Sequence, residues 1–309
     1  MKVAYVTHPA CRLHVIVPGH PESPERLQAI ETKLQTDGLL DRMSQITAHP
    51  ATLEQLGRVH AAAYLDGLEH MRPEPGQYAF LDPDTGMNHH TWDALLAAAG
   101  AGVTAVDAIF RGEIERAFCN VRPPGHHAEK SKAMGFCFVD NVAVAAAHAI
   151  HVHGLKRVAI VDFDVHHGNG TEDIFRDEPR VLFCSTFQHP LYPHNGADTQ
   201  SDHILNVPLP AGTGSASYRA AFSRRILPAL QRFEPEMVFF SAGFDAHRDD
   251  PLASMELEEA DYYWLTRAVL DATQTSASGR AVSLLEGGYH LPALAASATA
   301  HVRALLEKD

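Results

Sequence analysis

Cysteine is scarce and scattered: Cys11, Cys119, Cys137 and Cys184 are the four copies, with no CxxC pair among them. Such spacing gives neither a disulfide framework nor a thiolate metal site, and reduced thiols in a cytoplasmic setting suit it best. Basic residues are also short, 25 Lys and Arg against 38 Asp and Glu, for a formal charge of −13. That balance disfavours nucleic-acid binding and mildly favours the approach of cationic substrates. No apolar run approaches the roughly 20 residues that a membrane span needs. Residues 1–7, MKVAYVT, lead straight into a strand-like alternation without a cleavable leader. Neither membrane nor nucleic acid is therefore an expected partner. Repeats, charge blocks and low-complexity linkers are missing too, so residues 1–309 are expected to form a single domain. A hydrophobic content of 45% is ordinary for a globular fold with a full core.

Histidine is what the chain has in excess, with 21 copies. His49, His70, His151 and His153 lie in polar stretches or near the end of an Ala-rich segment, and read as surface or packing residues. Runs rich in β-branched and aromatic residues occur at 2–6, 117–121, 157–162, 180–185, 236–241 and 281–285. Their near-continuous apolar character suits strands buried on both faces of a parallel sheet. Helical patterns fill 24–36, 91–111, 140–153, 216–232, 256–273 and 291–307, with Thr91 and either Asp140 or Asn141 as N-caps. Alternation of this kind predicts a three-layer α/β/α fold, with 72–90 and 186–215 as long loops.

In open α/β sheets, ligands bind beyond the carboxyl ends of strands. Four such positions carry chemistry: RPPGHHAEKSKAMGF at 122–136, DFDVHHGNG at 162–170, AGFDAHRDDPLASM at 242–255 and EGGYH at 286–290. Asp162, Asp164 and His166 alternate, so an extended chain would point all three to one side. Asp164 and His166 with a third group such as Asp245 make a three-ligand set with an open position, the composition of a catalytic zinc site. Oxygen-rich ligation also suits iron(II) or manganese. The bland alternative is a capping turn with satisfied carboxylates, and for Asp245 alone a loop acid. Two acids this close, however, need a cation or protons to coexist.

His126 and His127 follow the stiff Pro123-Pro124-Gly125, which would hold both rings in one orientation. Histidine titrates near neutrality, as a general base and acid must, and Asp162 is placed to fix a tautomer. Tyr289 follows Gly287 and Gly288, and its hydroxyl could donate to an oxyanion. Taken singly, a histidine pair is more often packing and a tyrosine beside a glycine turn is as often a rim residue. Phe136, after Gly135, and Tyr192 could wall a narrow entrance, although Phe136 fits core packing equally well.

RPPGHHA (122–128), GFCFVDNVAVAA (135–146), VDFDVHHGNGT (161–171), SAGFDAHRDDPL (241–252) and LEGGY (285–289) closely resemble the histone deacetylase family, in its motif order. The likeness runs from HPESPERLQAI (20–30) onward and looks more like class II and bacterial deacetylase-like amidohydrolases than class I. It implies the arginase/deacetylase fold with a central eight-stranded parallel sheet. It also implies Asp164, His166 and Asp245 as zinc ligands; His127 as general base and acid with His126 beside Asp162 as electrostatic partner; and Tyr289 polarising the acyl carbonyl. Phe136 and Tyr192 would flank the acyl channel with Leu252 at its mouth. Structural potassium would involve Asp162, Asp164, His166, Ser185 and Thr186, mostly through backbone oxygens, and a second cation site would fall near Phe175, Glu178 and Val181. Two departures stand out: Asn169 where class I carries aspartate, and Tyr192 where phenylalanine is usual.

The implied activity is hydrolysis of an N-acylated amine such as acetyl-lysine to a carboxylate and a free amine. An acetylpolyamine amidohydrolase is the rival: Leu252 speaks against it, since a carboxylate at the mouth would best select a second ammonium, while Asp82-Pro83-Asp84 speaks for it. An arginase-like binuclear hydrolase and a metal-bound acyl-amine binding protein are the remaining alternatives. Oligomeric state, acyl length and metal are left open.

Overall fold

The computed structural model describes residues 2–307. Among them, ten strands run in chain order: β1 Val3–Thr7, β2 Ser44–Thr47, β3 Tyr78–Phe80, β4 Gly86–Asn88, β5 Arg116–Cys119, β6 Val158–Asp162, β7 Val181–Gln188, β8 Ile204–Leu209, β9 Met237–Ala242 and β10 Ala281–Leu285. The helices are α1 Glu25–Thr36, α2 Leu53–Leu56, α3 Ala62–His70, α4 Thr91–Phe110, α5 Asn141–His151, α6 Asn169–Phe175, α7 Ser215–Phe233, α8 Glu259–Ala277 and α9 Leu291–Leu306.

Eight strands form one sheet in the order β2-β1-β5-β10-β9-β6-β7-β8, and every pairing in it is parallel. The last strand in sequence thus sits in the middle. All five side chains of β6 are buried, as are all five of β10, which explains their predominantly apolar character, Asp162 and Ser283 being the exceptions. Helices α1, α9, α8 and α7 contact one another in that order, while α4, α5 and α6 form a second series, and both groups pack on the sheet. The result is the expected α/β/α layering.

Helix α4 corrects one expectation. It is long and apolar enough to cross a membrane, but 78% of that stretch is buried inside the protein. Its small residues serve close packing: a Cβ on Gly100 would lie 1.9 Å from the His49 carbonyl oxygen, and one on Gly102 would lie 2.7 Å from Ala145 Cβ on α5. Thr91 is not its cap. The N-cap is His90, and the Thr91 hydroxyl instead meets His14 Nδ1 at 2.8 Å and accepts from Asn88 N. At α5 the cap is Asp140, whose carboxylate accepts from Ala143 N at 2.9 Å.

The two stretches expected to be loops carry strands. The antiparallel pair β3-β4 lies within 72–90, and β8, the sheet's far edge, lies within 186–215. Both were hidden because three-residue strands and a strand containing Pro208 lack a clear alternation. Strand β2 and helices α2, α3 and α6 were also unforeseen, being short or polar on their outer faces.

Candidate active site

Strands β5, β10, β9 and β6 are neighbours. Because they are parallel, the chain leaves all four at one edge of the sheet, and the four chemistry-bearing segments meet there. The 162–170 stretch is extended only as far as Asp162 and then turns, because its carboxylates take the backbone N–H groups two residues on: Asp164 N donates to Asp162 Oδ1 and His166 N to Asp164 Oδ1. The capping role and the clustering therefore coexist.

Asp164 Oδ1 lies 3.0 Å from His166 Nδ1, and Asp245 Oδ2 lies 3.2 Å from the same nitrogen. The three residues present their ligand atoms within 4.8 Å of one another. Asp164 Oδ2 accepts from Gly287 N at 2.8 Å, and Asp245 Oδ1 accepts from Val165 N at 2.8 Å. Apart from its approach to His166, Asp245 Oδ2 is buried without a hydrogen-bond partner among the described residues. Glycine is needed where the backbone passes this pair: a Cβ on Gly287 would fall 2.1 Å from Asp245 Oδ2 and 2.5 Å from Asp164 Oδ2. Burial and the Asp164 charge push the Asp245 carboxyl up to about 7, whereas Asp164 is held below the usual range because His126 and His166 outweigh its burial. Burial opposes charge on His166, yet Asp164 and Asp245 raise it to about 10. A cation among these groups would relieve all three at once.

The two adjacent histidines sit with ring centroids 4.0 Å apart. His126 Nδ1 meets Asp162 Oδ2 at 2.9 Å, and its Nε2 lies 3.8 Å from Asp164 Oδ2. Its burial is overcome by those carboxylates, so it holds a proton well above the ordinary histidine range. His127 differs. Its Nδ1 faces Asn169 Oδ1 at 2.8 Å, which as acceptor assigns the proton to Nδ1 and leaves Nε2 with its lone pair. Burial and the charges of His126 and His166 keep it neutral well below its usual pKa. One histidine is thus charged and its neighbour is a free base.

A cavity of about 330 Å³ opens onto His126, His127 and His166. Gly135, Phe136, Tyr192, Tyr289 and the exposed Leu252 line it, together with Asp82 and Asp84, so every expected channel residue is present. Phe136 adopts φ +69°, an unusual backbone for an aromatic residue, and its ring meets Tyr289 edge-on at 5.9 Å. Tyr192 stands edge-on to His127 at 5.1 Å. Asp164 and Asp245 are not part of the lining; His166 connects them to it.

Several residues of the site escaped notice. Glu286 Oε2 accepts from the backbone N–H of Gly125 (2.7 Å) and of His126 (3.2 Å), and burial drives its carboxyl up to about 8. Asp250 accepts from Tyr289 N at 2.7 Å and from Leu252 N at 3.0 Å, fixing the Tyr289 backbone to the channel mouth. Glu22 is buried between Arg26 and Arg122. Arg26 in turn donates to the carbonyls of Gly288 (2.7 Å) and Glu286 and lies 5.0 Å from the Tyr289 ring centroid. The charges within HPESPERLQAI were the available signal for Glu22 and Arg26.

Of the residues expected near potassium, Asp162 and Ser185 are ladder partners, and Thr186 Oγ1 lies 3.5 Å from the Asp162 carbonyl oxygen. The Ser185 hydroxyl is engaged elsewhere, 3.1 Å from His167 Nδ1. Phe175, Glu178 and Val181 form a tight turn in which Glu178 N donates to Phe175 O and Val181 N to Glu178 O.

A family model for the histone deacetylase domain matches residues 20–305. The chain belongs to the histone deacetylase family. Among histone deacetylase relatives, histone deacetylase 14, chloroplastic, of Arabidopsis thaliana is 40% identical, covering 94% of this chain and 74% of that protein. The histone deacetylase-like amidohydrolase of Pseudomonas aeruginosa is 40% identical over 88% of this chain and 73% of its own length. Polyamine deacetylase HDAC10 of Homo sapiens is 38% identical over 92% of this chain, which spans 44% of that protein. The crystal structure of the HDA15 HD domain superposes with a TM-score of 0.90 at 37% identity, covering 99% of this chain and 89% of the other. The chain therefore shares the family's eight-stranded parallel α/β architecture, and its relatives support hydrolase activity.

Proposed function

We propose that the chain is a zinc-dependent deacylase that hydrolyses the amide of an N-acylated primary amine, with acetyl-lysine as the simplest substrate. The observation that carries this reading is the neutral, Asn169-oriented His127 beside the Asp164, His166 and Asp245 triad at the inner end of an aromatic-walled cavity. The triad fits a divalent ion: two carboxylates and one imidazole converge, and the buried Asp245 Oδ2 has no hydrogen-bond partner among the described residues beyond its approach to His166, itself a member of the triad. Iron(II) suits the same donors. A bound ion would supply a Lewis acid that polarises a carbonyl and acidifies water.

The chain's own residues supply the rest. Phe136 and Tyr192 grip an alkyl stem and exclude water from around the amide. His127 Nε2 takes a proton from the attacking water and returns it to the departing amine, so that the C–N bond breaks to a neutral amine and a carboxylic acid, which then loses its remaining proton to solvent as a carboxylate. His126, kept charged by Asp162, stabilises negative charge developing nearby. The Tyr289 hydroxyl donates to the former carbonyl oxygen as it becomes an oxyanion. We also assign a structural potassium ion to the backbone oxygens around Asp162, Asp164, His166, Ser185 and Thr186.

Asp82 and Asp84 in the cavity lining favour a second reading, acylated polyamines, since their carboxylates suit a substrate with a further ammonium group. Zinc- and iron(II)-loaded protein assayed on acetyl-lysine peptides, longer acyl-lysine peptides, acetylputrescine and acetylspermidine separates the two. Peptide turnover upholds the first; polyamine turnover exceeding it by a large factor replaces it with the second. No turnover of any of them in either metal form rejects both.

A further inference from the structure

The deacylase chemistry leaves unused a cluster built from two helices and a turn. Asp107 projects from α4, His148 from α5, and His153 from the turn that follows α5. His148 Nε2 and His153 Nε2 each lie 2.7 Å from the same oxygen, Asp107 Oδ1. His148 is buried, whereas Asp107 and His153 are partly exposed. Phe110 stacks on His153 with centroids 4.1 Å apart and planes within 10°, which holds the ring in place.

We propose that Asp107, His148 and His153 form a second binding site for a divalent transition metal of the zinc type. An N₂O set with solvent in the remaining positions is an ordinary zinc ligation, and nickel or copper would also accept it. The three ligand atoms already lie within 4.8 Å of one another. Ligand atoms on a tetrahedral zinc are about 3.3 Å apart, from metal–ligand bonds of about 2.0–2.1 Å. Seating the ion therefore asks each imidazole to retreat about half an ångström from Asp107. The site is separate from the deacylase centre: α5 begins at Asn141, whose backbone N a Cβ on Gly125 would meet, and His148 lies two turns on, about 10 Å along the axis. Occupied, it would tie the C-terminal turn of α5 and residues 152–154 to α4.

One neighbour opposes the ion. Arg58 Nη1 lies 3.0 Å from His148 Nδ1, and Arg58 Nη2 is held by Glu54 at 3.0 Å. A metal on Nε2 leaves the ring proton on Nδ1, where it faces a guanidinium donor, so Arg58 must swing aside on binding. Arg58 thus restrains affinity, and its removal has the opposite sign to loss of a ligand. Surface histidines acting independently would show no such pattern.

The full chain, stripped of metal, is titrated with ZnCl₂ and bound metal counted after dialysis, with Asp107→Asn, His153→Ala and Arg58→Met variants in parallel. Two equivalents are expected for the unaltered chain. The weaker one should lose roughly tenfold or more in affinity in Asp107→Asn and His153→Ala, and tighten by roughly tenfold in Arg58→Met. Cobalt(II) titration gives a second readout, a visible absorption step that those two ligand variants remove. A single equivalent that survives in both ligand variants overturns the proposal, as does a second equivalent that persists unchanged in both. Because each variant is compared with the unaltered chain, the difference stands whether or not the first equivalent sits in the deacylase centre.

Discussion

Glu22 should be the residue whose neutralisation costs this protein most for the fewest atoms changed. Its side chain is fully buried; Oε1 accepts from Arg122 Nε at 2.5 Å and Arg26 Nη1 at 3.1 Å, and Oε2 accepts from Arg122 Nη2 at 2.5 Å. Burial resists its charge, but Arg122 and His14 outweigh burial and hold the carboxyl well below 4.5. Glu22→Gln keeps the shape and removes the charge, leaving two buried guanidinium groups uncompensated. Breaking a buried pair in this way costs about 3–5 kcal/mol. At about 2.1 cal/mol/K per residue, the unfolding entropy of 309 residues is about 0.65 kcal/mol/K, so the melting temperature should fall by about 5–8 °C. Scanning calorimetry measures this directly. The pH dependence follows from the sign of the shift. A depressed carboxylate pKa stabilises fully above the unfolded value and less as pH falls through it toward the folded one, so the gap between the two proteins should narrow below about 4.5. A melting temperature within about 1 °C of the unaltered protein, or a gap that widens in acid, would refute the reasoning.

Tyr289→Phe preserves the channel wall and removes one oxyanion donor; steady-state kinetics on an acetyl-lysine peptide should show kcat down by about 10²–10³ with little change in KM. An unchanged kcat would show that the phenol does not touch the reaction. Asn169→Asp puts a charge 2.8 Å from His127 Nδ1, stabilising the imidazolium and raising its pKa by about 1–3 units. The acidic limb of the kcat/KM profile should move to higher pH, since the free base is then lost sooner. Gly287→Ala drives a methyl to within 2.1 Å of Asp245 Oδ2; metal analysis should find the deacylase equivalent missing from a chain that still folds by circular dichroism.

The site was more legible than the scaffold, for reasons visible in particular residues. Asp164, His166, Asp245, His127 and Tyr289 follow fully buried strands whose apolar runs mark where the chain must end at the sheet edge, and polar residues at those ends stand out. Strand β8 has no such mark, because Pro208 and a half-exposed face blur its pattern. Glu286 and Asp250 were in view but mute: their work is to accept backbone N–H groups brought in from other segments, 161 and 39 residues away, and spacing along the chain carries no trace of that. His153 reads as a packing residue in the sequence because its partners, Asp107 and His148, lie on two different helices and meet only in the folded protein.

The central place of β10 has a consequence for how the enzyme comes into being. Until residues 281–285 are in place, β2-β1-β5 and β9-β6-β7-β8 are two separate ribbons, each with an open parallel edge. The second ribbon carries Asp164, His166 and Asp245; the first carries His126 and His127; Tyr289 arrives with the keystone itself. A nascent chain can thus gather the Asp164, His166 and Asp245 half early, while the half with His126 and His127 stays apart. Hydrolysis becomes available only at the closing step, when one late strand joins the two.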